Sequence, residues 1–557
     1  MDYLAGLNAQ QRLAVETTEG PVVIIAGPGT GKTKTLATRI LHLIRTNGAQ
    51  PNEILALTFT KKAAAEMAQR VGVKGPTICT FHALCQTLLN RDFTFITEAE
   101  RSSIIATLPK TAALKGKSSR ELGLAISRAK NLADASPDIA PIVAAYDAEL
   151  QKRSVIDFDD LLLLARDFLQ SQPTLGLAYR YILVDEFQDT NELQYQILQL
   201  LRKNNNVFII GDPNQSIYGF RGADSTIFDR FGADFPDATT ISLIVNYRSA
   251  PEIVNLSNAI FKNATPLQTG AQPHGNVTGT QFLNEYSEAH WIIQTIEQAI
   301  GGSTMLAGTH HNATHSLKDF AIIYRGRFVA KTIQKYVADS GLPYQIVGEG
   351  SPYDRPDVQM ILRLLRACQD GPAAIGDFSQ LQVATLLQKI DKNQSPVAIA
   401  QQLINTFAIK QNADIIHFIG ALVQHKTLTA ALRYFDVLAD NNFYDPQAEA
   451  MTLLTIHAAK GLEFPHVFVI GAEEGILPSH KGNIHEERRL FYVAITRAKE
   501  DLNVTCVKHR GGQDATPSQF IAQLPSNILK LKPDDNLAAD TRRLQKRQAK
   551  KAQTSLF

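Results

Sequence analysis

The sequence predicts an α/β protein with two parallel-sheet halves, each interrupted by a helical insertion. Three observations carry this prediction. Apolar runs of strand length alternate with helix-length spacers, the pattern of βαβ units. A Gly-rich turn joins the first such strand to the first such helix. Two long segments, 92–178 and 357–448, break the alternation with Leu-, Ala- and Gln-rich sequence at helical spacing.

In chain order, the first half opens with an apolar run at 21–26, a turn, and a helix over 31–44. Further strands are expected at 54–60, 181–185 and 207–211. The second half offers strands at 320–324, 344–347, 451–456, 466–471 and 502–507. The expected division is therefore 1–91 with 179–244 as the first α/β domain and 92–178 as its insertion. Residues 245–356 with 449–530 form the second, 357–448 its compact insertion, and 531–557 a basic flexible tail. Arg542, Arg543, Lys546, Arg547, Lys550 and Lys551 charge that tail, with no acidic residue after Asp540. The polar stretch 301–315 is expected to be a loop, and its His310, His311 and His315 have no carboxylate or cysteine beside them to suggest a metal site.

Composition bounds the function without naming it. The 557 residues are 44% hydrophobic and 20% charged, ordinary for a globular protein of several domains. No apolar run approaches the roughly 18 residues of a membrane span, and no secretory signal is expected at the polar, acidic start. Cys79, Cys85, Cys368 and Cys506 form no CxxC pair, so a disulfide framework, a zinc ribbon and a four-cysteine iron–sulfur cluster lack support. A reducing cytosol is the expected compartment. A net charge of +2 neither demands nor excludes nucleic acid.

Chemistry enters with Ala26-Gly27-Pro28-Gly29-Thr30-Gly31-Lys32-Thr33, placed between strand and helix. Apart from Ala26 in the first position, this fits a P-loop. Its glycines let backbone N–H groups curl around phosphates, Lys32 reaches the outer phosphates, and the Thr33 hydroxyl suits Mg²⁺. The strand at 181–185 ends in Asp185 and Glu186, one carboxylate to order the metal and one to position or deprotonate water. Together they predict ATP–Mg²⁺ hydrolysis.

The residues that follow resemble a family. Asp185-Glu186-Phe187-Gln188-Asp189-Thr190, then residues 211–223 (GDPNQSIYGFRGA), are similar to the UvrD/Rep/PcrA superfamily 1 DNA helicases. The resemblance implies two RecA-like P-loop NTPase domains with parallel sheets, each carrying a helical insertion. It also implies ATP-dependent 3′-to-5′ translocation on single-stranded DNA and helicase activity at single-strand/duplex junctions, in DNA repair, recombination or replication. A cytoplasmic, nucleoid-associated monomer or weak dimer follows from it. Residue by residue, Gln11 in Leu7-Asn8-Ala9-Gln10-Gln11 matches the adenine-reading amide. Tyr247 in Asn246-Tyr247-Arg248-Ser249 matches the ring that stacks on adenine. Arg248 and Arg497 match two arginine fingers, Gln215 the γ-phosphate sensor, and Glu463 in the HAAKGLEF stretch the ribose contact.

The same resemblance lays out a DNA track. Phe59, Thr60 and Lys61 match a segment that touches bases and backbone, and Phe81 and His82 the next one. Tyr218, Phe220 and Arg221 match the segment carrying base-stacking aromatics. Phe220 stands where the family commonly has Trp, a smaller π-face for the same task. The second insertion is short for the family, so translocation is expected ahead of processive strand separation. Gln553-Thr554-Ser555-Leu556-Phe557 resembles the short motif that docks on a sliding clamp. The alternative is a clamp-docked ATP switch or protein-displacing factor with little unwinding activity.

Overall fold

The structure is a computed structural model. It describes residues 3–534 except 109–115, 133–135, 173–178, 203, 224–225, 262–263, 271, 302–314, 349–354, 373–374, 376–377, 424 and 441–443. The basic tail, the 553–557 peptide, His310 and His311 therefore lie outside the described residues. The chain divides into two compact units, Met1–Gly341 with Ala459–Phe557, and Leu342–Ala458.

The first sheet of the larger unit holds β1 (Val22–Ala26), β2 (Ile54–Thr58), β3 (Thr77–Thr80), β4 (Tyr181–Val184), β5 (Val207–Gly211) and β6 (Thr239–Leu243). All pair in parallel, in the order β3-β2-β4-β5-β1-β6. Central strands covered on both faces read as unbroken apolar runs, which is why β1, β2, β4 and β5 are legible in sequence. Their alternate residues serve different cores. Ile182 and Val184 face a cluster with Leu57, Phe81 and Leu84, whereas Tyr181 and Leu183 face one with Leu36, Ile40 and Met67. β1 and β4 flank β5, so their carboxyl ends carry the Gly-rich turn and the Asp185–Glu186 pair to the same edge, where open α/β sheets place ligands.

Within 92–178 the described residues include helices Glu98–Thr107, Ser119–Leu132, Ala140–Lys152 and Phe158–Ser171. The first three build their own core around Ile104, Leu122, Ile126, Ile142 and Tyr146. The fourth buries Leu161, Leu162, Ala165 and Leu169 in the sheet's core beside Phe81 and Leu84. It is thus a structural part of the first α/β layer.

The second sheet of this unit pairs Phe320–Tyr324, Phe464–Ile470, Ala498–Arg510, Asn276–Asn284 and Leu531–Pro533 in parallel, in that order. The expected strands at 320–324, 466–471 and 502–507 fall on three of them. Asn276–Asn284 and Leu531–Pro533 are additions.

The smaller unit has a parallel pair, Tyr344–Val347 with Met451–Thr455. Between these strands the described residues form helices Pro356–Asp370, Gln380–Leu387, Pro396–Thr406, Ala413–Leu422 and Leu428–Asp440. Ile361, Leu365, Ile399, Leu403 and Phe418 sit in its separate core. Among the described residues no helix is long and apolar enough to cross a membrane.

Candidate nucleotide site and nucleic-acid track

The Gly-rich turn leaves β1 and feeds helix Lys32–Arg45, with Gly29 at φ 70° and Gly31 at φ 82°. Both the left-handed backbone and the space demand glycine at 29. A Cβ there would lie 2.6 Å from the Arg248 Cβ and 2.8 Å from the Asn246 Oδ1. The 246–248 strand end thus crosses directly over the turn. The Tyr247 N–H donates to the Gly29 carbonyl at 2.8 Å, and the Asn246 amide to the Pro28 carbonyl at 2.9 Å. The Lys32 ammonium donates to the Ala26 and Gly27 carbonyls at 3.1 and 3.2 Å, and so lies folded along the loop. Thr33 follows in the first turn of the helix.

Beside the turn, Gln11 is buried and donates its amide to the Thr30 carbonyl at 2.9 Å. Its position is set by a capping box with Asn8, which starts helix Ala9–Glu16. The Asn8 amide reaches the Tyr247 hydroxyl at 2.9 Å, so the 44% exposed Tyr247 ring and the Gln11 amide share one side of the loop.

At the end of β4, the Asp185 N–H donates to the Leu57 carbonyl at 2.8 Å, and the Asp185 carboxylate accepts from the Glu186 N–H at 3.0 Å. Burial, and then the neighbouring Glu186, push the Asp185 carboxyl up to about 7 against the pull of Lys32. Glu186 occupies the left-handed region at φ 50°, unusual for a side chain with a Cβ, and the Gln188 amide donates to its carboxylate. Burial opposes its charge, but Lys32, then Lys460, the Gln188 hydrogen bond and Arg497 outweigh it and hold Glu186 low. Gln188 also ties this segment to the next: its amide oxygen accepts from the Asp212 N–H at 3.0 Å, and its carbonyl from the Ser216 hydroxyl at 3.1 Å. The buried Gln215 donates its side-chain amide to Asp212 at 2.8 Å.

Lys460 closes the circuit. Its ammonium reaches the Asp189 carboxylate at 2.5 and 2.7 Å, the Gln215 carbonyl at 2.8 Å, and lies 5.0 Å from the Tyr218 ring centroid. Sequence reasoning took only Glu463 from the stretch containing it. The signal available was the lysine three residues before that glutamate.

Two arginines border the turn and the acids. Arg248 pairs with Glu463 at 2.5 Å, and Glu463 also with Lys499 at 2.8 Å. Arg497 is 2% exposed and donates to the carbonyls of Val493 (2.9 Å) and Leu462 (3.1 Å) and to the Thr496 hydroxyl (3.1 Å). Burial, followed by the like charge of Arg248, lowers it to about 9.

The aromatic track begins with Phe59 stacked on Tyr218, ring centroids 5.1 Å apart, and continues to Phe220, edge-on to Tyr218 at 5.9 Å. Thr60 caps helix Lys61–Val71 through the Ala63 N–H, and Lys61 is exposed at its first turn. The Arg221 side chain lies outside the described residues. Phe81 is a correction: it is 6% exposed and packs in the core with Leu84 and Leu161, so its ring has no open face. His82 beside it is half-buried, with its ring edge-on to Phe158 at 5.6 Å. Phe158 is 59% exposed and stacks on Phe95 at 4.9 Å. The sequence reading missed it because Phe158 shares the apolar stripe of Leu161, Leu162, Ala165 and Leu169 and so reads as core, whereas it is the first residue of helix Phe158–Ser171 and stays exposed there.

A family model described as the UvrD/REP helicase N-terminal domain matches residues 7–236, and one described as the UvrD-like helicase C-terminal domain matches 241–375 and 382–509. The chain belongs to the UvrD-like helicase family. Among its relatives, the "ATP-dependent DNA helicase PcrA" of Leuconostoc citreum is 31% identical over 650 residues, covering 94% of this UvrD-like chain and 85% of that protein. The proteins of the same name from Bacillus subtilis (strain 168) and Staphylococcus aureus (strain Mu50 / ATCC 700699) are 31% and 30% identical. Each match covers 94% of this chain, with 86% and 87% of the relatives.

Proposed function

We propose that this UvrD-like helicase is an ATP-dependent 3′-to-5′ DNA helicase that couples nucleotide hydrolysis to movement along a single strand, in DNA repair or replication. The observation that carries the reading is Lys460, which bridges the acid segment at Asp189, the Gln215 carbonyl and the Tyr218 ring. A shift at the γ-phosphate end of this chain must be felt at an aromatic of the track, because all three partners share one ammonium.

The two α/β layers are proposed to be RecA-like domains with ATP between the 27–33 turn and Arg248–Arg497. Gln11 and Tyr247 would hold adenine, Glu463 the ribose, and Lys32 the outer phosphates. Thr33 and Asp185 fit Mg²⁺: both offer hard oxygen donors, and a buried carboxyl pushed up by a second acid is stabilised by a cation. The metal would neutralise phosphate charge, while Glu186 orients water and Arg248 and Arg497 stabilise the departing γ-phosphoryl group. Gln215, bonded to Asp212, would report that group's presence.

Single-stranded DNA is proposed to run over Phe59, Tyr218 and Phe220, and past His82 and Phe158, with Thr60, Lys61 and Arg221 at the backbone. The core position of Phe81 removes it from this set. Base stacking is worth about 1–3 kcal/mol per ring, so Tyr218→Ala or Phe220→Ala should weaken single-strand binding roughly 5- to 150-fold. Fluorescence anisotropy with a labelled oligonucleotide checks this, and unchanged affinity in both variants would remove these rings from the track.

The peptide Gln553–Phe557 is proposed to dock on a sliding clamp through Leu556 and Phe557. A chain lacking the last five residues should lose clamp in a pull-down. Equal recovery of clamp with and without them would dispose of the idea.

A further inference from the structure

A polar seam joins the helical insertion to the nucleotide segments, and its centre is Asn131. This residue lies in the last turn of helix Ser119–Leu132 and is 1% exposed. Its amide N–H group donates to the Asp159 carboxylate at 2.7 Å and to the Ser127 carbonyl at 2.8 Å. Its amide oxygen accepts from the Asn191 side chain at 2.8 Å. An amide is the side chain that can donate in one direction and accept from the other, so both ends of Asn131 are in use.

The three segments it touches matter. Asn191 directly follows the acid segment, caps helix Glu192–Leu201 through the Gln194 N–H at 2.9 Å, and bridges to Ala223. Gly222 ends the segment with Tyr218 and Phe220, and a Cβ added there would sit 3.2 Å from the Asn131 Cβ. Asp159 is the neighbour of the exposed Phe158, in a helix turn that Lys130 also grips through Asp157 at 3.2 Å and Asp160 at 2.6 Å. One buried amide therefore connects the end of the acid segment, the end of the Gln215–Phe220 segment and the turn that presents Phe158.

We propose that Asn131 is a positioning residue that holds the Phe158 turn in register with the nucleotide-sensing segments, so that the state of the γ-phosphate sets the grip on DNA at Phe158. The proposal rests on the reading of Phe158 and Tyr218 as DNA-facing. The proposal gives Asn131 no contact of its own with nucleotide or strand. Losing its hydrogen bonds to Asp159 and Asn191 should leave hydrolysis without DNA as it is and weaken the response to DNA.

The test compares Asn131→Leu, Asp159→Asn and Phe158→Ala with the parent full-length protein. Each is assayed for ATP hydrolysis with and without a single-stranded oligonucleotide, for oligonucleotide affinity with and without a non-hydrolysable ATP analogue, and for thermal melting. Asn131→Leu is expected to keep its DNA-free rate within about twofold. It should need about tenfold more oligonucleotide for half-maximal stimulation and lose the effect of the analogue on DNA affinity. Asp159→Asn keeps an acceptor for the Asn131 amide and should behave like the parent. Parent-like stimulation in Asn131→Leu, or DNA-free and DNA-stimulated rates falling together with the melting temperature, would overturn the proposal. So would an unaltered DNA response in Phe158→Ala beside an altered one in Asn131→Leu. A parent that DNA does not stimulate would instead defeat the reading on which the proposal rests.

Discussion

Glu186→Gln binds ATP as the parent does and hydrolyses it about 10³-fold more slowly, within the range that a positioned base contributes. The substitution keeps the size of a side chain enclosed by Lys32, Gln188, Lys460 and Arg497 and removes only its charge. Those cations hold Glu186 low, so it is ionised at neutral pH and acts chiefly by orienting water, in keeping with a loose transition state that asks little of a base. Phosphate contacts from Lys32 and the turn's N–H groups do not depend on that charge. Single-turnover hydrolysis alongside titration with a fluorescent ATP analogue separates the two effects. Robust turnover would refute the assignment, and lost binding with lost turnover would make Glu186 a structural residue.

Arg248→Ala is the second large effect. Arg248 stands over the turn, with its Cβ where any side chain at 29 would have to be, and its head is turned aside to Glu463 at 2.5 Å. The local fold does not need the guanidinium. Asn246 holds this segment by accepting from the backbone N–H groups of Arg248 and Ser249 at 2.8 and 2.9 Å. The expected outcome is a loss in kcat of about 10³-fold, at the lower end for an arginine finger, with ATP affinity changed several-fold at most. Arg497 is the poorer test, because its buried hydrogen bonds to Val493 and Leu462 confound chemistry with stability. Steady-state kinetics and thermal melting of Arg248→Ala decide: an unchanged kcat in a normally melting protein would place its charge away from the phosphates.

What could be read from the sequence follows from burial. β1, β2, β4 and β5 are buried throughout or nearly so and show as apolar runs. β3 and β6 lie at the sheet's edges, and Thr77, Ile78 and Cys79 of β3 and Thr239 and Thr240 of β6 remain accessible, so neither stood out. Asn276–Asn284 is polar along much of its length and is recruited by Ala498–Arg510, a long-range partner that local pattern does not contain. The residues proposed to hold nucleotide could be picked out because phosphate chemistry would confine Lys32, Thr33, Asp185 and Glu186 to short contiguous stretches. The seam was not, since Asn131, Asp159 and Asn191 meet only through folding, and nothing near Asn131 marks it as more than a polar helix end. Phe81 failed in the opposite sense: its motif suggested contact, but its place in the helix after β3 turns it into the core.

The central claim is that the Gln215–Phe220 segment couples hydrolysis to a DNA strand. Steady-state ATP hydrolysis with no nucleic acid, with single-stranded DNA and with single-stranded RNA tests it most directly. The account predicts strong stimulation by DNA alone, whereas equal rates in all three conditions would contradict it.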